Sequence, residues 1–369
     1  MPRKDLLKRV HRIVVKVGTS SITEGGAISS RKIALLTQDL AGVCAVGRQV
    51  VLVSSGAIGA GAGALEKRRD MLTIPEKQAC AAVGQTILMN EYRACFRRNG
   101  LEVGQILLTE DDVKHRSRFL NARHTFNALL EMGVVPIVNE NDTVAIKEIK
   151  FGDNDTLSAH VANIVEADLL VLLSDVDGFY WNRDDERPVE LVARVDDEVR
   201  ARAGGTGSGQ GTGGMTTKLR AAEIIIQSGE MMIIANAAVP GVIGRILKGE
   251  PLGTLFAGRR RALGSRKRWI AFNMKTTGKV EIDDGAVQAL REKKKSLLAT
   301  GVTGVSGRFE LGDAVEIYSM RGDLVGKGIV NYSDEELGVI KGKKSREIKG
   351  LLGGTYFDEV INRDDLIIY

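Results

Sequence analysis

Ile13-Val14-Val15-Lys16-Val17-Gly18-Thr19-Ser20 sets the reading of the whole N-terminal part. An apolar, β-branched run ending in a glycine turn predicts a buried strand whose carboxyl end opens onto a loop. Runs of the same kind recur at 50–53, 103–108, 134–138, 169–173 and 231–234. Between several of them, 31–46, 76–98, 118–132 and 216–228 carry helical periodicity. Strands apolar on both faces, alternating with helices, predict an α/β fold: a mainly parallel sheet covered on both sides, a three-layer αβα sandwich. In such sheets ligands sit beyond the carboxyl ends of the strands, so the loops after these runs are where chemistry is sought.

The chain has 369 residues, 43% hydrophobic and 27% charged, enough for real cores and long enough to predict two domains. No run of 18 apolar residues and no apolar leader core is present, so neither a membrane span nor a signal peptide is expected. Cys44, Cys80 and Cys95 show neither close pairing nor metal-ligand spacing, which fits a reducing, cytoplasmic setting. Four scattered histidines argue against a dedicated zinc site. The net charge of +5 is confined to one end: residues 258–369 hold 21 Lys and Arg against 16 Asp and Glu, and residues 1–257 balance.

That excess starts at Gly258-Arg259-Arg260-Arg261 and continues through Arg266-Lys267-Arg268, a basic stretch read as a connector, with nucleic-acid contact as the alternative. The expected domains are therefore 1–258, a linker over 259–268, and 269–369. The last part gives short alternating segments (279–282, 314–319, 328–330, 339–341) and reads as a small β-rich domain.

Within the first domain, Lys16 near a strand end is costly to bury unless it faces a site, although a surface lysine is equally consistent. Gly18 and its two hydroxyl neighbours would let backbone N–H groups approach a phosphate. Ser54-Ser55-Gly56-Ala57 is a second small-residue turn; it opens no dinucleotide fingerprint, and its Ala-Gly spacing also suits close helix packing. Residues 139–155 crowd five carboxylates and three asparagines, more than turns need, and would suit an ammonium, a magnesium ion or lysines needing alignment. Residues 204–214 hold seven glycines and lead through Met215-Thr216-Thr217 to Lys218. This is not a P-loop, but flexible backbone and a cation at a helix N-terminus could hold phosphates; a plain linker is the other reading.

In this order, Val15–Ser20, Ser54–Ala57, Val138–Asp142, Gly152–Asp155 and Gly211–Lys218 resemble the amino acid kinase family. The stretches 278–286 and 296–302 resemble a PUA module, so the likeness covers nearly the whole chain. It is to members that phosphorylate the γ-carboxylate of L-glutamate in the first step of proline synthesis. The resemblance implies that Lys16 and Lys218 neutralise the transferring phosphoryl group and that Asp155 holds both. It implies glutamate binding by Ser55, Asp142 and Asn154. For ATP it implies Lys16, Ser174, Asp175, Thr212, Gly213, Gly214, Met215, Thr216, Thr217 and Lys218, with Mg²⁺ carried by the nucleotide and no protein metal site. Ser174 is often threonine in the family and Thr216 often serine; both keep a hydroxyl. Arg116, Arg118 and Asn121 fall in a segment that in this family approaches the substrate or feedback site. Feedback inhibition by proline, a homo-oligomer and transfer of the labile acyl phosphate to a reductase are further implications.

The chemistry suits the residues. A γ-carboxyl group with a pKa near 4.3 is already ionised at neutral pH, so the nucleophile needs no general base. The difficulty is bringing it against a triphosphate, which cations and positioning solve. Asp155 is ambiguous, since a kinase acting on a hydroxyl would want such a base; the organiser role is preferred. The competing readings are a family member with a carbamate, aspartate, acetylglutamate or nucleoside monophosphate acceptor, and an RNA-binding protein built around the basic tail. A neutral first domain bearing the phosphate-site motifs argues against RNA recognition as the main activity.

Overall fold

The first strand, β1 (Arg12–Val17), sits inside an eight-stranded sheet and is buried from Ile13 to Val17. The structure, a computed structural model, describes residues 3–25, 27–144, 154–182, 184–203, 214–258, 270, 274–352 and 357–369. The chain divides into two compact units, 1–262 and 263–369.

The first unit begins with α1 (Arg3–Leu7), β1, α2 (Thr19–Ile22), a hairpin of β2 (Thr23–Glu24) and β3 (Ala27–Ile28), and α3 (Ser30–Ala45). It continues with β4 (Gln49–Ser54), α4 (Ala57–Ala64), α5 (Ile74–Arg98), β5 (Val103–Leu108), α6 (Glu110–Lys114) and α7 (Arg116–Glu131). Next come β6 (Val135–Glu140), α8 (Asn154–Val165), β7 (Leu169–Ser174), β8 (Leu191–Val192) and α9 (Asp197–Ala203). It closes with α10 (Met215–Ser228), β9 (Met231–Asn236), α11 (Val242–Leu247) and β10 (Thr254–Ala257).

The sheet order is β5-β6-β4-β1-β7-β9-β10-β8, parallel except where β10 runs antiparallel to β9. The expected parallel sheet flanked by helices is present. Helices α3, α5 and α11 pack together on one face, and α7, α8 and α10 on the other. The core against α3 and α5 takes Ile13, Val15 and Val17 from β1. Strand alternation therefore sends Val14 and Lys16 to the opposite face, toward α8 and α10. This is what places a lysine at the end of a buried strand where two helices can meet it.

All six strands read from the sequence form, several a residue or two longer. Helix α8 is the main element the apolar pattern did not reveal. All of its residues from Asp155 to Val165 except His160 are buried, so it lacks the polar stripe that makes an amphipathic period visible.

The second unit is a five-stranded sheet of β11 (Thr276–Ile282), β12 (Val302–Gly307), β13 (Ala314–Ser319), β14 (Leu324–Ile329) and β15 (Leu366–Ile368), in the order β12-β11-β13-β14-β15. It carries its own core, including Val280, Ile282, Val315 and Ile317. The segment 339–341, read as a strand, instead ends the helix Asp334–Ile340. A reciprocal Ser333–Glu336 capping box and three acidic residues in the first turn favour the helix there.

Candidate active site

Two lysines from distant parts of the first unit meet one carboxylate. Asp155, in the first turn of α8, has no exposed surface, and Lys16 and Lys218 are 7% and 6% exposed. Lys16 Nζ lies 2.5 Å from Asp155 Oδ1, and Lys218 Nζ lies 3.1 Å from Oδ2. Thr217 Oγ1 donates to the same Oδ2 at 3.0 Å. Lys218 reaches this point because α10 packs on α8. Burial alone would push the Asp155 carboxyl up; the two ammonium charges and their hydrogen bonds outweigh it and hold it below its ordinary value. Two cations against one anion leave this cluster with net positive charge, which draws an anion.

Its neighbour, Asn154, anchors a neutral network instead. Asn154 Nδ2 donates to Ser55 Oγ at 2.7 Å, to the Ser54 carbonyl at 3.1 Å and to Asn139 Oδ1 at 3.0 Å. Asn139 in turn donates to Gln85 Oε1 at 3.0 Å. The turn carrying Ser55 is possible because Gly56 adopts φ 105°, in the left-handed region. Behind it, α4 and α5 pack backbone to backbone: a Cβ on Gly84 would lie 1.8 Å from the Ala57 carbonyl oxygen. The small-residue spacing of α4 thus serves packing as well as the turn.

Beside this network is a pocket of about 290 Å³ lined by Ala57, Gln85, Asn90, Glu140, Asn141 and Asp142, among others. A second cavity, about 690 Å³, is lined by Ser174 and Asp175 together with Val17, Ser20, Asn236 and residues of α3. Ser174 Oγ donates to Asp175 Oδ1 at 3.0 Å.

Of the sequence-predicted residues, the structure therefore gathers Lys16, Asp155, Thr217 and Lys218 in one cluster and Ser55 and Asn154 in the network next to it. Asp142 lines the adjoining pocket, and Ser174 and Asp175 line the separate cavity. Gly214 is the N-cap of α10, Met215 is half-buried and Thr216 exposed. Thr212 and Gly213 lie outside the described residues. Arg116 opens α7; Arg118 on the same helix is exposed and paired with Asp111 and Asp112, and Asn121 is exposed.

Of the network's other members, Asn139 fell within the polar stretch 139–155 but was given no role from the sequence, and Gln85 was not singled out. The signal for Gln85 was its place on α5 directly after Gly84, beside the buried stripe of Cys80, Ala81, Gly84 and Leu88. Among the described residues no group of three or more His, Cys, Asp or Glu is placed to hold a metal ion, and both oxygens of Asp155 face lysines.

Residues 11–236 match the amino acid kinase family, and residues 278–352 match the PUA domain. A glutamate 5-kinase of Trichlorobacter lovleyi is 47% identical over 371 residues, spanning 99% of each chain. One of Caldanaerobacter subterraneus is 45% identical over 363 residues, spanning 97% of each. Among solved structures, a Giardia carbamate kinase superposes with a TM-score of 0.50 at 17% identity, covering 68% of this chain and 100% of its own. At that identity the likeness is one of fold.

Proposed function

The chain belongs to the amino acid kinase family, and from that premise we propose that it transfers the γ-phosphoryl group of ATP to the γ-carboxylate of L-glutamate. The product is L-glutamyl 5-phosphate, and the reaction opens proline biosynthesis. The observation that carries the site assignment is the meeting of Lys16 and Lys218 on Asp155, one residue from the Asn154 network.

In this reading the acceptor carboxylate needs no deprotonation, so Asp155 serves as the clamp that aims two ammonium groups, not as a base. Lys16 and Lys218 offset the repulsion between the nucleophile and the triphosphate and stabilise charge on the phosphoryl group in flight. Magnesium arriving with the nucleotide would supply further charge neutralisation. Ser55 and Asn154 orient the acceptor, and Asp142 supplies negative charge suited to its ammonium group. Ser174, Asp175 and residues 212–218 take the nucleotide.

The reading assigns both substrates to residues 1–258, with 259–268 as connector and 269–369 as an appended module. Among the described residues no helix is long and apolar enough to cross a membrane; a cytoplasmic setting, a homo-oligomer, proline as feedback inhibitor and a reductase that consumes the acyl phosphate complete the proposal.

The test is ADP release with hydroxylamine trapping of the acyl phosphate, run over glutamate, aspartate, carbamate and N-acetylglutamate. Glutamate alone should give rapid turnover and a hydroxamate. Turnover with another acceptor and none with glutamate would overturn the assignment.

A further inference from the structure

One polar group of a residue that lines the pocket of Asp142 ends on nothing. Gln85 Nε2 is buried and has no hydrogen-bond partner among the described residues, yet Gln85 lines the pocket shared with Asp142. A buried donor left unpaired is costly, and in a native protein it calls for an explanation, a bound ligand being one.

The direction of this amide is fixed by backbone groups. The Glu140 backbone N–H can only donate, and it donates to Asn139 Oδ1 at 2.9 Å. At the other end the Ser54 carbonyl can only accept, and it accepts from Asn154 Nδ2. Asn139 therefore turns its NH₂ toward Gln85, whose Oε1 accepts at 3.0 Å. The NH₂ of Gln85 is left facing away from the network.

The three amides form a sequence with Asn154, beside the lysine clamp, at one end and Gln85 at the other. Glutamate has a matching polarity, with the reacting carboxylate at one end and an ammonium and a second carboxylate at the other. An N–H donor recognises the carboxylate; Asp142, in the same pocket, has the sign to recognise the ammonium.

We infer that Gln85 Nε2 donates to the α-carboxylate of glutamate, so that this side chain both holds Asn139 and selects an acceptor bearing two carboxylates. The inference rests on glutamate being the acceptor. It also gives a purpose to Gly84, whose missing side chain lets α5 approach α4 closely enough to bring Gln85 to the acceptor loop.

Gln85→Glu separates the two roles, because it keeps an oxygen for Asn139 while replacing the donor with a negatively charged oxygen. The probes are L-glutamate and 4-aminobutyrate, which keeps the amine and the reacting carboxylate but lacks the α-carboxylate. In the full chain, Gln85→Glu should raise the KM for glutamate about 10- to 100-fold, the range for a lost hydrogen bond to a charged group. The KM for ATP should stay within about twofold. The preference for glutamate over 4-aminobutyrate in kcat/KM should shrink by a similar factor to the rise in KM. An unchanged glutamate KM and preference, or a parallel rise in both KM values, would overturn the inference. If Gln85→Glu does not fold, Gln85→Leu is compared on the same two acceptors: a reduced preference for glutamate supports the inference, and an unchanged preference overturns it. A wild-type enzyme inactive on glutamate would instead sink the acceptor assignment itself.

Discussion

Asn154 and Asp155 are adjacent in sequence and serve surroundings of opposite kind. Asp155 binds two buried ammonium groups and uses both carboxylate oxygens on them. Among the described residues Asn154 hydrogen-bonds neutral groups, and it passes its hydrogen bonding through Asn139 to Gln85. One turn of α8 thus divides the site into an ionic half, suited to a migrating phosphoryl group, and an amide half, suited to holding an acceptor in place. In the proposed mechanism the two halves carry different kinds of catalysis. Charge stabilisation depends on the ionic half and should appear in kcat; orientation and selection depend on the amide half and should appear in the KM for glutamate.

The comparison breaks most visibly at Asp155. Asp155→Ala leaves two buried lysines facing each other without their anion, which should cost about 3–5 kcal/mol of stability. Turnover should fall with it, by about 100-fold or more. Urea unfolding and steady-state assays on the same preparation check both; a variant as stable and active as wild type would remove the clamp from the account.

Asn154→Ala should act on the other half, raising the KM for glutamate about 10-fold or more with little change in the KM for ATP. A rise confined to the KM for ATP would place Asn154 on the wrong side of the division. Gly84→Ala probes the scaffold beneath the amide half. Its Cβ cannot fit against the Ala57 carbonyl without moving α5, at a cost of about 1–3 kcal/mol read from thermal unfolding. An unchanged Tm would show that α5 can shift freely.

The smallest effect is one of pH. Because the lysines hold Asp155 below its ordinary value, its contribution is fully present above the unfolded pKa near 3.9 and is lost as pH falls through the lower folded value. Stability measured between pH 5 and 2 should therefore fall less steeply in Asp155→Asn than in wild type. Equal slopes would mean that the carboxylate is not held by its partners.

Much of this was legible in the residues. Apolar runs ending in small or polar residues located six strands and the faces their loops share, since burial on both sides leaves a continuous hydrophobic signature. Lys16 stood out because a lysine in such a run is costly to bury unless it faces something, although the motif alone suited a surface lysine equally well. That Lys218 meets it depends on how α10 packs on α8, a tertiary fact with no local trace, and only family resemblance pointed there. Helix α8 itself was hidden by its near-complete burial, and Gln85 by sitting 69 and 70 residues before the dipeptide it serves. The segment 339–341 misled because short β-branched stretches look alike in strands and helix ends; the Ser333 cap decided it.

The most direct test of the central claim is a double-mutant cycle on kcat for glutamate phosphorylation with Lys16→Ala, Lys218→Ala and the pair. If both ammonium groups act together on one migrating phosphoryl group, each single change lowers kcat about 100-fold or more, and the pair loses much less than the product of the two. A wild-type rate in either single variant would contradict it.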